Sequence, residues 1–255
     1  MRVTVLGGLG AFPTADGGCN AFLVERDGFH LLVDPGYATV QPLLSRVAAA
    51  DVDAAWISHG HPDHCADLQP LLRARALAQT GHSAADALPV IAPAGALTPI
   101  LAIDQPGTID GAYALREVAD GDAFDIGPFR FAVRDLPHMV PNLGVRISAA
   151  GTVLAYTGDC GPTSIVAELA DGADLLIANA TFPDDVPPPR TPHLSSARQA
   201  GMYATEARAK ALLLTHLWPG VRPADMLDAA RDTYDGPVHV ALPGLTLTLP
   251  GGRRP

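Results

Sequence analysis

The hydrophobic pattern of the chain starts in short runs. Val3–Leu6, Asn20–Glu25 and His30–Asp34 are rich in Val, Leu and Phe, each bounded by Gly or Asp, and predict three strands. The spacing then lengthens: a helix is expected from about Val40 to Ala49, followed by a buried strand over Ala54–Ile57. Leu68, Leu71, Leu72 and Leu77 recur at near-helical spacing with Arg73 and Arg75 between them, which predicts an amphipathic helix. A strand near Val90–Ala92 and a short helix around Ala96–Ala102 come next. Phe129–Asp135, Val145–Ser148 and Val153–Tyr156 read as strands, the last two joined by a tight turn at Ala149-Ala150-Gly151. A helix (Ser164–Leu169), a strand (Leu175–Ala178) and a proline-rich loop (Phe182–Pro192) follow. The pattern closes with a helix from Ser195 to about Thr205, a strand over Ala211–Thr215, a last helix, and strands at Val238–Leu242 and Leu245–Leu249.

Strands and helices alternate in both halves, which implies a mixed α/β architecture with two sheets face to face and helices outside. No internal repeat or long linker divides the chain, so residues 1–255 are expected to form one domain.

Composition narrows the function. Hydrophobic residues make up 48% and charged residues 17%, as in a folded globular protein. The formal net charge is −10, and no Lys/Arg run exceeds Arg253-Arg254. Extended nucleic acid, which needs a basic face to displace counterions, is not an expected partner. Cys19, Cys65 and Cys160 form neither a CxxC nor an even set that would suggest a disulfide framework. The apolar start MRVTVLGGLGAFP is broken by Gly7, Gly8 and Gly10, and reads as a strand and a tight turn rather than a signal peptide or a nucleotide-binding glycine loop. No apolar run is long enough to span a bilayer, and the expected compartment is the cytoplasm.

The chemistry concentrates in SHGHPDHCAD, residues 58–67, directly after a buried strand. His59, His61, Asp63 and His64 match H-x-H-x-D-H, more ligands than one zinc needs beside its water. A split of two and two between adjacent metals, each completed by distant residues, accounts for the excess. His138, Asp159 and His216 are the available partners, each near the end of an apolar strand. Imidazole and carboxylate donors favour zinc, with manganese or iron as alternatives. Cys65 and Cys160 adjoin these residues but read as small buried packing groups, with Cys65 and Asp67 opening the next helix. His30, His82 and His239 stand alone and read as structural or surface residues.

With Asp34 in LLVDPG, H-x-H-x-D-H, and His138, Asp159 and His216 in order, the chain resembles the metallo-β-lactamase superfamily over nearly its whole length. The resemblance implies the four-layer αββα sandwich. It also implies two divalent metal ions, one on His59, His61 and His138, the other on Asp63, His64 and His216, with Asp159 bridging and Asp34 orienting a ligand. PHLSS at 192–196 is similar to the His-x-Ser/Thr loop of the ribonuclease Z and small phosphodiesterase branch. There His193 would stabilise phosphoryl oxygens or the leaving group, Ser195 or Ser196 would cap a helix, and Ser195 would help bind substrate at that helix's free N–H groups. Asp63 or Asp159 would accept a proton from the attacking water.

Two departures shape the expectation. No long basic arm of the ribonuclease Z kind is present, and Asn179 in LIANATF stands where relatives often have Glu. The expected activity is hydrolysis of a small phosphodiester, a cyclic nucleotide first. A ribonuclease Z-type RNA 3′-processing endonuclease and a lactonase or thioesterase are the alternatives. A homodimer is implied by the resemblance alone. The Pro183–Pro192 loop reads as a solvated surface loop, with shaping of the substrate entrance as the alternative.

Overall fold

The computed structural model describes residues 1–77 and 86–250, so His82 and Arg253-Arg254 lie outside the described residues. The first half runs β1 (Arg2–Gly7), β2 (Ala21–Arg26), β3 (Phe29–Val33), α1 (Val40–Leu44), β4 (Ala54–Trp56), α2 (Pro62–Cys65), α3 (Leu68–Leu77), β5 (Leu88–Pro93), α4 (Thr98–Leu101) and β6 (Tyr113–Val118). The second half runs β7 (Ala123–Ile126), β8 (Phe129–Leu136), β9 (Asn142–Ala149), β10 (Thr152–Tyr156), α5 (Ile165–Leu169), β11 (Leu175–Asn179), α6 (Ala197–Glu206), β12 (Leu212–Thr215), α7 (Pro223–Arg231), β13 (Val238–Val240) and β14 (Thr246–Thr248).

The strands form two seven-stranded sheets, ordered β14-β1-β2-β3-β4-β5-β6 and β13-β12-β11-β10-β9-β8-β7. Both are mixed and built alike. Antiparallel pairing holds from β14 to β3 and from β7 to β10. Parallel pairing holds from β3 to β6 and from β10 to β13.

The central strands are apolar on both faces, and their two-residue period divides them between cores. In β2 and β3, Phe22, Val24, Leu31 and Val33 point between the sheets to meet Trp56, Phe131 and Tyr156. Leu23 and Leu32 point outward, under Leu43 of α1 and Leu68, Leu71 and Leu72 of α3. The second sheet repeats the scheme. Leu213 and Ile177 face the other sheet, while Leu212, Leu214 and Leu176 pack beneath α5, α6 and α7. Helices, sheet, sheet, helices is the expected αββα sandwich.

Local expectations shift in several places, the strands β6 and β7 among them. The helix foreseen over Val40–Ala49 stops at Leu44, and a single 3-10 turn covers Ala49–Asp51. Cys65 ends the short helix α2 rather than opening the next one. Asp67 sits before α3, and its carboxylate accepts the backbone N–H groups of Thr39 and Val40 at 2.7 and 2.8 Å, anchoring α1.

Candidate metal centre

The strand ends deliver the chemistry. Asp34 follows β3, Ser58 and His59 follow β4, His138 follows β8, Asp159 follows β10, Asn179 ends β11 and His216 follows β12. Parallel neighbours end on one edge of a sheet, so these side chains converge there. The backbone N–H of Leu143 donates to the Ser58 carbonyl at 2.9 Å, tying the sheets together beside the site.

All seven expected ligands meet. His59, His61, His138 and Asp159 form one donor group; Asp63, His64, Asp159 and His216 form a second; within each, the donor atoms lie within 4.8 Å of one another. Asp159 belongs to both. Its Oδ2 lies 3.0 Å from His216 Nε2, 3.8 Å from His138 Nε2 and 4.0 Å from His59 Nε2, and its Oδ1 lies 3.2 Å from His64 Nε2.

The far side of each ring shows what the donors are for. His138 Nδ1–H donates to the His193 carbonyl at 2.8 Å, leaving a bare Nε2 pointing inward. Ser58 gives its hydroxyl proton to Asp34, so His59 Nδ1–H donates to the Ser58 oxygen at 3.0 Å and its Nε2 is bare too. Both inward nitrogens lie 3.1 Å from His61 Nδ1, which has at most one proton for the two. Facing lone pairs in a buried site call for a cation. Donor separations near 3 Å match the roughly 3.4 Å expected around a tetrahedral zinc.

The second group makes the same demand through charge. His64 Nδ1–H donates to Asp34 at 2.7 Å, and His216 Nδ1 lies 3.0 Å from the Thr181 hydroxyl. Their Nε2 atoms face Asp159 and Asp63. Burial opposes protonating these rings, yet the Asp159 and Asp63 carboxylates outweigh it, lifting His64 well above the ordinary imidazole value and His216 to about 9. Burial also opposes the charge on both carboxylates, but His64 and His216 pull them well below the usual range. Burial lowers His59, His61 and His138, which stay neutral as metal ligation requires.

Local backbone explains the precision. Asp34 is fully buried at φ 47°, a left-handed conformation that non-glycine residues rarely adopt. There its carboxylate accepts from the Ser58 N–H at 2.6 Å, the Ser58 hydroxyl, His64 and the Tyr156 hydroxyl. His216 is left-handed too, at φ 60°. The glycine turn of the first loop reaches the cavity wall at Ala11. Gly10 N–H donates to the Leu217 carbonyl at 2.9 Å, and a side chain on Gly10 would strike the His216 ring. Ala11 N–H donates to Asp63 at 2.7 Å.

The PHLSS loop departs from expectation. Ser196, not Ser195, caps α6, in a capping box with Gln199. The next two N–H groups, of Ala197 and Arg198, bond the carbonyls of Phe182 and Pro183, so this helix end offers nothing to an anion. Ser195 is fully buried, its hydroxyl donated to the Cys160 carbonyl at 2.9 Å, and it is not among the residues lining the cavity beside His193. His193 does line a cavity of about 400 Å³, with His61, Asp63 and His216 at its base. Burial pushes the Cys65 and Cys160 thiols up to about 12, and neither joins a donor group.

Sequence reasoning passed over Ser58, Thr181, Tyr156 and the role of Asn179. Asn179 donates through Nδ2 to Asp159 Oδ1 at 3.2 Å and accepts the Ser195 N–H at 2.7 Å, joining the shared carboxylate to the His193 loop. Its place at a strand end beside the ligands was the available signal.

The β-lactamase superfamily domain model matches residues 30–217. The chain belongs to the metallo-β-lactamase superfamily. Within that superfamily it is 30% identical over 246 residues to the probable metallo-hydrolase YhfI of Bacillus subtilis, covering 96% of this chain and 98% of YhfI. The YhfI crystal structure matches with a TM-score of 0.86 and 27% identity, over 96% of this chain and 98% of that one. Ribonuclease Z of Haloferax volcanii is 26% identical over 307 residues, covering 98% of this chain and 95% of the relative. Human tRNase Z, short form, shares the fold at a TM-score of 0.79 and 24% identity, over 98% of this chain and all (100%) of that one. Membership supports a metal-dependent hydrolase, consistent with the convergent His and Asp donors. No helix among the described residues is long and apolar enough to cross a membrane.

Proposed function

We propose that the chain is a binuclear metal-dependent phosphodiesterase acting on small phosphodiesters, with cyclic nucleotides the first substrates to test. The observation that carries this reading is the pair of donor groups sharing Asp159, whose members His61, Asp63 and His216 line a cavity of about 400 Å³. One group would hold a divalent ion through His59, His61 and His138, the other through Asp63, His64 and His216, and zinc suits so imidazole-rich a set. Such a pair would supply Lewis-acid charge for phosphate oxygens and an acidified water.

The protein residues do the rest. Asp34 fixes the His64 tautomer, and the His193 carbonyl fixes that of His138. Asp63 and Asp159, bound as carboxylates in the donor groups, would accept the proton that an acidified water sheds. The His193 ring, on the cavity wall, donates to the departing oxygen.

The ribonuclease Z relatives favour a second reading, RNA 3′-end cleavage at the same centre. A net charge of −10 weighs against a long RNA contact. The test is a panel on zinc-loaded protein: bis-p-nitrophenyl phosphate, 3′,5′- and 2′,3′-cyclic nucleotides, precursor tRNA, a lactone and a thioester. Turnover of the small diesters, lost in His193→Ala, is the expected result. Activity confined to the lactone or thioester would sink the proposal, and activity confined to the RNA would select the second reading.

A further inference from the structure

We propose that Arg190, stacked on Trp218, is the residue through which this cavity recognises the anionic oxygens of its substrate; the proposal rests on the phosphodiesterase reading above. The Pro183–Pro192 loop is solvent-exposed over most of its length, as read from sequence, and its end at Pro189 and Arg190 lines the cavity. Its last turn is closed by the Arg190 carbonyl, which accepts the N–H groups of His193 and Leu194 at 2.9 and 3.2 Å. One turn therefore sets both His193 and Arg190 at the cavity.

The Arg190 guanidinium carbon lies 4.7 Å from the centroid of the Trp218 ring. Trp218 is braced in turn by Phe182, stacked at 5.6 Å and 25°, and by the edge-on Phe12 at 6.1 Å. Its backbone N–H donates to the Thr181 carbonyl at 3.0 Å, and Thr181 also bonds the His216 ring. A guanidinium lying on so firm an aromatic base has lost much of its rotamer freedom before any ligand arrives.

Its charge is also unspent. Arg198 is committed to Asp184 and Asp232, and Arg222 to Asp225. Among the described residues Arg190 makes no ion pair, and it is the one Arg or Lys lining this cavity. In a chain of net charge −10 such a cation faces the site for an anion's sake. Its planar fork matches two oxygens of a phosphodiester. Met139, Pro189 and Leu194 leave the adjoining wall apolar, suited to an organic arm on that phosphate.

The test uses zinc-loaded full-length protein as wild type, Arg190→Met, Arg190→Lys and Trp218→Phe. Inorganic phosphate binding is titrated by calorimetry, and bis-p-nitrophenyl phosphate hydrolysis is followed at low and high salt. Arg190→Met should weaken phosphate binding and raise the KM for the diester about tenfold or more. High salt should shrink the difference, Arg190→Lys should restore part of it, and zinc content should hold. Unchanged phosphate affinity and KM in Arg190→Met would overturn the proposal while leaving a diesterase standing. Loss of zinc or of the folded state in both Arg190 variants would overturn it as well. Arg190-dependent phosphate binding in a protein inert on every diester would uphold this assignment and reject the phosphodiesterase reading.

Discussion

Replacing Asp34 with Asn separates charge from shape at the residue that orients His64. Asn tolerates the left-handed backbone that Asp34 adopts at φ 47°, so the main chain need not move. The hydrogen bonds must. Asp34 Oδ1 takes the Ser58 N–H, while Oδ2 takes the Ser58 hydroxyl, His64 Nδ1–H and the Tyr156 hydroxyl. An amide has one acceptor oxygen, and its NH₂ meets a donor whichever way it turns. Turned toward Ser58 N–H, it leaves two donors abutting in the core. Turned toward His64, it drives the imidazole proton to Nε2, the atom facing Asp159 and Asp63.

A lost bond to a charged group costs about 1.5–3 kcal/mol, and a buried donor left unpaired about 1–3 kcal/mol. With about 2–4 °C per kcal/mol in a chain of this size, the two costs together should lower the midpoint by roughly 5–24 °C. The ion at the His64 group should bind about 10–100-fold more weakly. Calorimetric zinc titration of chelator-stripped protein, with thermal unfolding of the same samples, reads both. An Asp34→Asn variant that binds two zinc ions with wild-type affinity and melts within 2 °C of wild type would refute the orienting role.

Three further outcomes follow from the geometry. Asn179→Ala removes the amide that holds Asp159 and the Ser195 N–H; diesterase kcat should fall about 10–100-fold with zinc retained, and an unchanged kcat would contradict the link. Gly10→Ala would place a methyl 2.4–2.7 Å from three His216 ring atoms, so zinc content should drop, and a full complement would show that the loop yields freely. Stripping the ions should lower the melting temperature, since an ion held at about a hundred times its Kd contributes about 2.7 kcal/mol; identical melting curves with and without zinc would contradict a built site.

Much of the architecture was legible because the central strands are apolar on both faces and stand out as runs. The missed strands, β6 and β7, are the outer edges of the two sheets; β6 reads as YALREV, exposed through its middle, and carries no alternation to detect. The residues of the two donor groups were legible because four are clustered in sequence and the rest sit near strand ends. Ser58, Thr181 and Tyr156 were not, since a hydroxyl near a motif is ordinary until its partner is known. Arg190 and Trp218 lie 28 positions apart and mean nothing until the end of the proline-rich loop reaches the cavity wall. The burial of Ser195, away from the cavity wall, was hidden for the opposite reason. Sequence placed the residue beside a helix start, but the carbonyls of Phe182 and Pro183 had already taken the neighbouring donors.

The central claim is that two metal ions share Asp159. Elemental analysis of protein equilibrated with zinc, in wild type and in Asp159→Ala, tests it most directly. Two zinc ions per chain in the wild type, with both sites weakened together by the single substitution, is the predicted result. One ion or none in the wild type, or loss of only one ion in Asp159→Ala with the other held at full affinity, would contradict it.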